Sequence, residues 1–121
     1  MPKSSNIKTG KVGEEKAREF LEKQGYKVLA TNWHFSKNAE IDIIAMEKDT
    51  LVFVEVKTRT TENFGHPFEA IDQRKVQKIY IAALSYIETE KPKHKNYRID
   101  AISVLGKDYK IEHLKNIGLG W

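Results

Sequence analysis

The chain has 121 residues, of which 40% are hydrophobic and 31% charged, values typical of one folded domain rather than of a disordered chain. The absence of cysteine excludes a disulfide scaffold and a thiolate metal site, and no apolar run reaches the about 18 residues of a transmembrane helix. The net charge of +4 mildly favours a polyanionic partner such as nucleic acid. The first ten residues lack the apolar stretch of a secretory signal, so we expect a cytoplasmic protein with no membrane partner.

The first predicted element is a helix that follows a short arm. Residues 1–8 are predicted to form a flexible arm, and residues 9–121 a single domain. Thr9 can cap a helix that ends at about Gln24, because Gly25 is a typical stop signal. Four apolar residues share one side of this helix: Val12, Ala17, Phe20 and Leu21.

Three strands are predicted next. The first covers residues 26–35 and runs into a polar turn. The segments "EIDIIAM" (40–46) and "TLVFVEVK" (50–57) flank the polar turn "EKD", and this pattern predicts a β-hairpin. Residues 58–67 have few apolar anchors, so we expect a mobile loop there.

The rest of the chain predicts a helix and two further strands. The helix should run from about residue 72 to 88, with the strands at 97–104 and 109–114. Its expected core stripe consists of Val76, Ile79, Ala83 and Ile87, with Tyr80 and Leu84 alongside. The order α-β-β-β-α-β-β predicts an α/β fold with a mixed central five-stranded sheet flanked by helices.

The register of the hairpin can be predicted from its turn. If the turn centres on residues 48 and 49, the numbers of paired residues add up to 97. The predicted pairs are Met46–Leu51, Ile44–Phe53, Asp42–Glu55 and Glu40–Lys57. Since strand side chains alternate with a period of two, all eight should share one face.

The opposition of Asp42 and Glu55 requires an explanation, because like charges directly across a sheet are destabilising. A divalent cation between the two carboxylates supplies one, since Mg²⁺ takes hard oxygen ligands. The backbone carbonyl of Val56 could add a third oxygen. Lys57 would then stand beside the metal and orient a water or stabilise charge on a phosphate.

Ordinary structural interpretations remain open at this point. Glu40 and Lys57 could form a simple cross-strand ion pair, with Glu55 hydrated at the strand end. A register shifted by one residue would put Asp42 and Glu55 on opposite faces. Glu14, at the rim of the first helix's apolar stripe, is either a third acid of the site or a solvated residue.

Asp42 followed by Glu55-Val56-Lys57 resembles the PD-(D/E)xK, or restriction-endonuclease-like, nuclease superfamily. More specifically, five blocks in one order resemble the YraN-like family, which is similar to archaeal Holliday-junction resolvases. The blocks are "GKVGEEKAREFLEKQGY" (10–26), "EIDIIA" (40–45), "FVEVKTR" (53–59), "GHPFEAIDQRKVQKI" (65–79) and "YRIDAISV" (97–104). Together they cover nearly the whole chain.

The resemblance implies a restriction-endonuclease-like fold and metal-dependent hydrolysis of phosphodiesters, with Mg²⁺ or Mn²⁺ as cofactor. Carried over by position, Asp42 and Glu55 would be metal ligands, with the Val56 carbonyl, and Lys57 the catalytic lysine. Glu14 would match the helical glutamate of the resolvase-like branch. The sequence departs from the pattern at Ile41, where the superfamily has proline, and at Ala39, where the family commonly has glycine.

Several residues beyond this set could contact nucleic acid. Arg59, Arg74, Lys75 and Lys78 could bind phosphates, and the family pattern also has a lysine at Lys75. The alternative for these cations is the ordinary solvated face of a helix. The aromatic residues of the segment 33–35 could stack bases or, alternatively, pack at a strand end.

The expected function is therefore a Mg²⁺- or Mn²⁺-dependent endonuclease that acts on DNA, with branched DNA as one substrate and a two-fold dimer as its assembly. The loop 58–66 would close over the substrate. The alternatives are a nucleic-acid-binding module that does not cleave and a protein-interaction scaffold. The four histidines lack zinc-site spacing, and Asp100, in an apolar strand, is interpreted as a structural acid without a specific role.

Overall fold

The computed structural model describes residues 2–37, 39–59, 73–93 and 96–117, with side chains from residue 11 onward. Two helices and five strands follow the predicted order α-β-β-β-α-β-β. They are α1 (Pro2–Lys23), β1 (Lys27–Ser36), β2 (Ala39–Glu47), β3 (Thr50–Arg59), α2 (Gln73–Glu90), β4 (Asn96–Leu105) and β5 (Lys110–Leu114). The predicted α/β architecture is confirmed and is consistent with a restriction-endonuclease-like fold.

The five strands form one mixed sheet in the order β1-β2-β3-β4-β5. Neighbouring strands are antiparallel except for β3 and β4, which are parallel. A parallel pair needs a long crossover connection, and α2 lies in the segment that joins β3 to β4. The topology therefore places the carboxyl ends of β3 and β4 at the same edge of the sheet.

The two helices cover opposite faces of the sheet. In β3, Leu51 and Phe53 pack into the core under α2, whereas Val52 and Val54 pack into the core under α1. This alternation explains why β3 is apolar on both faces, as strands buried on both sides are. Five residues of α2 are buried: Val76, Ile79, Ala82, Ala83 and Tyr86.

Helix α1 ends where the sequence predicts but begins earlier. Gly25 has φ +94°, a conformation that favours glycine, and the Tyr26 N–H donates to the Leu21 carbonyl at 2.9 Å, which closes the helix end. The predicted start at Thr9 is wrong, because the helix includes residues 2–8 rather than leaving them in an arm. Proline is tolerated in a first helical turn, and no glycine or proline interrupts residues 3–9.

The buried side of α2 differs from the predicted stripe, since Ala82 is also buried and Ile87 is only partly buried. Leu84 is 43% exposed, while Tyr86 is buried. The ring of Tyr86 packs edge-on against the rings of Trp33 and Phe53, with centroids 5.5 and 5.9 Å away. Aromatic packing of this kind rotates the helix toward Tyr86, and it gives Trp33 a core role rather than a base-stacking one.

Strand β3 is longer than predicted. It continues to Arg59, so Thr58 and Arg59 belong to the sheet and not to a loop. The parallel partner β4 extends equally far, with Arg59 paired to Leu105. Residues 60–67 of the predicted loop lie outside the described residues. In the part of the chain that the structure describes, neither helix is long and apolar enough to cross a membrane.

Candidate functional site

The hairpin of β2 and β3 has the predicted register. Ile44 pairs with Phe53 and Met46 with Leu51, and the ladder extends as far as Ile43. Asp42 and Glu55 are the next residues beyond the last pair. The register shifted by one residue is therefore excluded, and the two acidic residues follow the paired region at the same point.

The prediction that all eight hairpin residues share one face is wrong for β2. Ile41 and Ile44 both belong to the core under α2, although strict alternation would place residues three apart on opposite faces. The alternation therefore breaks at Asp42, between these two isoleucines. Because of this break Glu40 does not oppose Lys57 but lies with Glu14 of α1.

Asn32 lies in β1, beside the point in β2 where the alternation breaks. It lies between the pairs Thr31–Ile43 and Trp33–Ile41, and its φ of +50° is left-handed. Asparagine adopts this conformation more readily than most residues, so it allows β1 to follow the irregularity of β2.

The side chain of Asn32 joins two acids. Its Nδ2 donates to both carboxylate oxygens of Glu14 and to Oε1 of Glu40, each at 3.2 Å. Asn32 is not among the residues that the sequence predicts for the site. The available signal was an asparagine in the middle of a predicted strand, where this residue type is depleted.

Asp42 is the central carboxyl of the cluster. Its Oδ2 accepts a hydrogen bond from the backbone N–H of Val56 at 2.8 Å. Burial raises the pKa of Asp42 to about 8, with Glu55 the next largest contribution and smaller ones from Glu14 and Glu40. The structure thus brings three of the predicted site residues, Asp42, Glu55 and Glu14, within electrostatic range of one another, with Glu40 as a fourth acid.

Two lysines border the cluster on the α2 side. Lys75 Nζ lies 2.8 Å from Oε1 of Glu55, whose side chain is buried. Burial lowers the pKa of Lys75, but hydrogen bonds to Glu55 and Lys57 outweigh it and raise the pKa overall. Lys75 therefore forms an ion pair with Glu55, and the phosphate contact expected of it stays a prediction.

The pKa of Lys57 shifts in the opposite direction and is lowered. Burial lowers its pKa most, and the hydrogen bond and positive charge of Lys75 lower it further. Of the two neighbouring amines, Lys57 therefore loses its proton more readily than an ordinary lysine, and Lys75 less readily.

The other predicted cations are more peripheral. Arg59 is half-buried at the end of β3, and Arg74 and Lys78 are exposed on α2. None of these placements argues against a role in binding phosphate.

The chemistry of the oxygen donors fits a hard divalent cation. Within residues 11–37, 39–59, 73–93 and 96–117, no three His, Cys, Asp or Glu side chains are already arranged around one metal position. Mg²⁺, however, is typically held by only one or two carboxylates, and its other ligands are waters and substrate phosphates. Asp42 and Glu55 satisfy that requirement, since they supply two neighbouring carboxyl groups.

Close packing between α1 and β3 fixes Glu14 in place. A Cβ added at Gly13 would overlap Oγ1 of Thr58 and would lie 3.0 Å from Cβ and 3.1 Å from Cγ2 of the same residue. Glycine weakens a helix interior, so its presence here reflects this close approach rather than helix stability. Gly13 thus allows α1 to reach the strand that carries Glu55 and Lys57.

We expect Gly13→Ala to lower the melting temperature, even though alanine is the better helix former by about 1 kcal/mol. Rotation of the Thr58 side chain can move Oγ1 but not the Cβ of Thr58, which would stay 3.0 Å from the added Cβ. Helix α1 must therefore shift, at a cost of about 1–3 kcal/mol. Thermal denaturation of Gly13→Ala, Thr58→Ala and the double variant measures the effect. Partial recovery in the double variant is expected, whereas a higher melting temperature in Gly13→Ala would contradict the close-packing explanation.

Comparison with known proteins identifies the family. The profile of "Uncharacterised protein family UPF0102" matches residues 13–104. A UPF0102 protein of Renibacterium salmoninarum is 37% identical over 117 residues, covering 94% of this chain and 98% of its own length. A UPF0102 protein of a Sulfurihydrogenibium species is 47% identical, covering 88% of this chain and 90% of its own length. One of Caldanaerobacter subterraneus is 50% identical, covering 84% of each chain. The YraN-like family predicted from the motifs is thereby confirmed, and the chain belongs to the uncharacterised protein family UPF0102.

Proposed function

We propose that this protein is a Mg²⁺- or Mn²⁺-dependent nuclease that hydrolyses DNA phosphodiester bonds. The main supporting observation is the placement of a partly buried carboxyl, Asp42, beside Glu55, with a pKa raised to about 8. A structure gains nothing for its own stability from two neighbouring carboxylates, since their repulsion opposes folding. Perturbed acids of this kind are concentrated at functional sites.

A divalent cation would supply charge neutralisation for the phosphate and for the attacking oxygen. Asp42 and Glu55 would hold it, and the Val56 carbonyl is the proposed third ligand. The N–H of Val56 already orients the Asp42 carboxylate through the 2.8 Å hydrogen bond. Glu14 would assist from α1, where Asn32 fixes its carboxylate.

Lys57 would position the attacking water and take up its proton. A neutral amine is required for that step, and the lowered pKa of Lys57 increases the neutral fraction. Lys75 would hold Glu55 until substrate binds and would then contribute positive charge to the phosphate. The pattern of Asp42 with Glu55-Val56-Lys57 supports placement in the PD-(D/E)xK superfamily.

Cleavage assays test the proposal. Duplex, single-stranded, nicked and four-way DNA of matched length are incubated with wild-type protein in Mn²⁺, in Mg²⁺ and in EDTA. We expect cleavage of at least one substrate in metal and none in EDTA. Lys57→Ala should reduce the rate by about 10²-fold or more, because it removes the proposed proton acceptor.

Lys48→Ala is the matched control, since Lys48 lies at the opposite end of the hairpin, in the β2–β3 turn. This variant should cleave at the wild-type rate. Cleavage that survives in Lys57→Ala at the wild-type rate would contradict the assignment of Lys57.

A second function is favoured by the ion pair between Lys75 and Glu55. An ammonium group 2.8 Å from Glu55 can replace a metal ion electrostatically, as a nucleic-acid-binding module without catalysis would require. This alternative predicts salt-sensitive DNA binding that is indifferent to EDTA, with no cleavage of any substrate. The same assays, run with a binding measurement, separate the two functions.

A further inference from the structure

The β4–β5 turn lies at the same sheet edge as the candidate site. The turn covers residues 106–109, and the N–H of Gly106 donates to the carbonyl of Arg59 at 2.8 Å. Arg59 is only two residues beyond Lys57 on β3, and adjacent strands are about 4.8 Å apart. The turn is therefore attached directly to the strand end that carries the site.

Tyr109 closes this turn in a conformation that its residue type disfavours. Its φ is +52°, whereas glycine and asparagine are the residues that adopt left-handed backbone at little cost. For a bulky residue a positive φ is a genuine outlier, and such strain is concentrated at functional positions. Its side chain is also 40% exposed, so burial of the ring in the core does not explain its presence.

The ring of Tyr109 is held by a cation of α1. Lys16 Nζ lies over the ring, 5.2 Å from its centroid, and Lys16 is two residues from Glu14. This contact fixes the ring orientation and leaves 40% of the residue accessible. A pre-oriented, accessible aromatic ring is the usual platform for stacking an unpaired base.

Positive charge surrounds the ring. Lys107 and Lys110 are exposed on either side of Tyr109, and Arg59 is attached to the turn. Two acids oppose them, Asp108 within the turn and Glu19, whose carboxylate is 3.8 Å from Lys16 Nζ. The four cationic side chains around the ring, those of Lys16, Arg59, Lys107 and Lys110, outnumber these two acids. The net charge is therefore positive, as the binding of a phosphate backbone requires.

We propose that the β4–β5 turn is a second nucleic-acid contact, in which Tyr109 stacks an unpaired base while Lys107 and Lys110 bind the flanking phosphates. This inference rests on the proposed nuclease function and specifies its substrate class. DNA with unpaired bases close to the scissile phosphate, such as a flap, a gap or a junction, binds better than continuous duplex.

Binding measurements in EDTA test the turn independently of cleavage. Fluorescence anisotropy gives the affinity of wild-type protein for flapped and continuous duplexes of equal length, over a series of salt concentrations. In Tyr109→Leu the preference for the flapped DNA falls by about tenfold or more, because a stacked base is lost. Tyr109→Phe keeps the ring and keeps the preference.

A 2-aminopurine base in the flap gives a direct signature of stacking. Its fluorescence is quenched on binding to wild-type protein and to Tyr109→Phe, and it stays unquenched with Tyr109→Leu. A structural role of Tyr109 in the turn would not produce this difference between leucine and phenylalanine.

The lysines are tested by charge removal at matched positions. The double variant Lys107→Ala/Lys110→Ala weakens binding to all substrates and reduces the slope of log affinity against log salt by about 2. The control, Lys23→Ala/Lys27→Ala, removes two exposed lysines near the opposite end of the sheet and keeps the wild-type slope.

The outcomes separate this inference from the function on which it rests. If wild-type protein binds DNA but the Tyr109→Leu and double-lysine variants behave like wild type, the turn is not a contact and only this inference is overturned. If wild-type protein binds none of the DNA substrates in EDTA, this inference is overturned, whereas the cleavage assays in Mn²⁺ and Mg²⁺ decide the proposed nuclease function separately.

Discussion

In the absence of divalent metal, Asp42→Asn is expected to melt at a higher temperature than the wild type above pH 8, and it is also expected to abolish the proposed cleavage. The pKa of Asp42 is raised to about 8 by burial and by Glu55, so the folded protein holds a proton that the unfolded chain has released above about pH 4. The stability of the wild-type protein therefore falls as the pH rises from 4 to 8. Asparagine is neutral throughout, and its side-chain carbonyl can still accept the Val56 N–H.

The size of this difference in melting temperature follows from the shift of the Asp42 pKa. One pKa unit corresponds to about 1.4 kcal/mol, so even half of the shift should raise the melting temperature by about 5 °C or more. The difference between Asp42→Asn and wild type should be small near pH 4.5 and largest above pH 8. Thermal denaturation in EDTA across this range measures it.

Metal is expected to narrow the difference in melting temperature between the two proteins. Mg²⁺ at 100 times its dissociation constant adds about 2.7 kcal/mol to the stability of a protein that binds it only when folded. Wild-type protein should gain this stabilisation, and Asp42→Asn should not. Asp49→Asn, which removes a carboxylate from the exposed β2–β3 turn, should follow the wild type in every condition. Equal responses of Asp42→Asn and Asp49→Asn to metal would contradict Asp42 as a ligand.

The part of the site that could be predicted from sequence is the part governed by local rules. A two-residue turn at 48–49 fixes the hairpin register, so the placement of Asp42 and Glu55 just beyond the paired region followed from counting residues. The apolar pattern of β3 correctly indicated a strand buried on both faces. These inferences need only neighbours in the sequence.

The side-chain environment of the site could not be predicted in this way. The break in alternation at Asp42 is matched by the left-handed Asn32 in another strand, and periodicity alone assumes a regular ladder. The pairing of Glu55 with Lys75 depends on where α2 is placed over the sheet, and this in turn depends on the aromatic contacts of Tyr86. Contacts of this kind are set by packing between distant segments.

Asp100 is the clearest case of a role that sequence could not reveal. It is fully buried in β4, on the α1 face of the sheet. Its carboxylate accepts from Arg98 Nε at 2.9 Å and from the Asn116 N–H at 2.9 Å, and His113 Nε2 lies 2.7 Å away. Arg98 extends the network to Glu47 at 2.9 Å and to the Tyr26 hydroxyl at 2.7 Å. These partners come from four separate parts of the chain.

The network explains how a charge can remain in the core. Removal of one member of a buried, paired charge cluster leaves the others desolvated and unpaired, which typically costs 3–5 kcal/mol. This network fastens β4 and β5 to the β2–β3 hairpin and to the segment after α1. The interpretation of Asp100 as a structural acid is thereby supported by specific hydrogen-bond partners.

Asp100→Ala is expected to lower the stability by about 3–5 kcal/mol, a large fraction of the about 5–15 kcal/mol that holds a domain of this size folded. The pKa of Asp100 is lowered, because hydrogen bonds from His113, Arg98 and Asn116 outweigh the effect of burial. Its contribution is therefore complete above the unfolded pKa near 4 and is lost as the pH falls toward the folded value. Urea denaturation should show a constant difference from wild type above about pH 5 and a narrower one below pH 4. Asp108→Ala, in the exposed β4–β5 turn, should denature like wild type at every pH, and an equally small effect of Asp100→Ala would show that the network does not stabilise the fold.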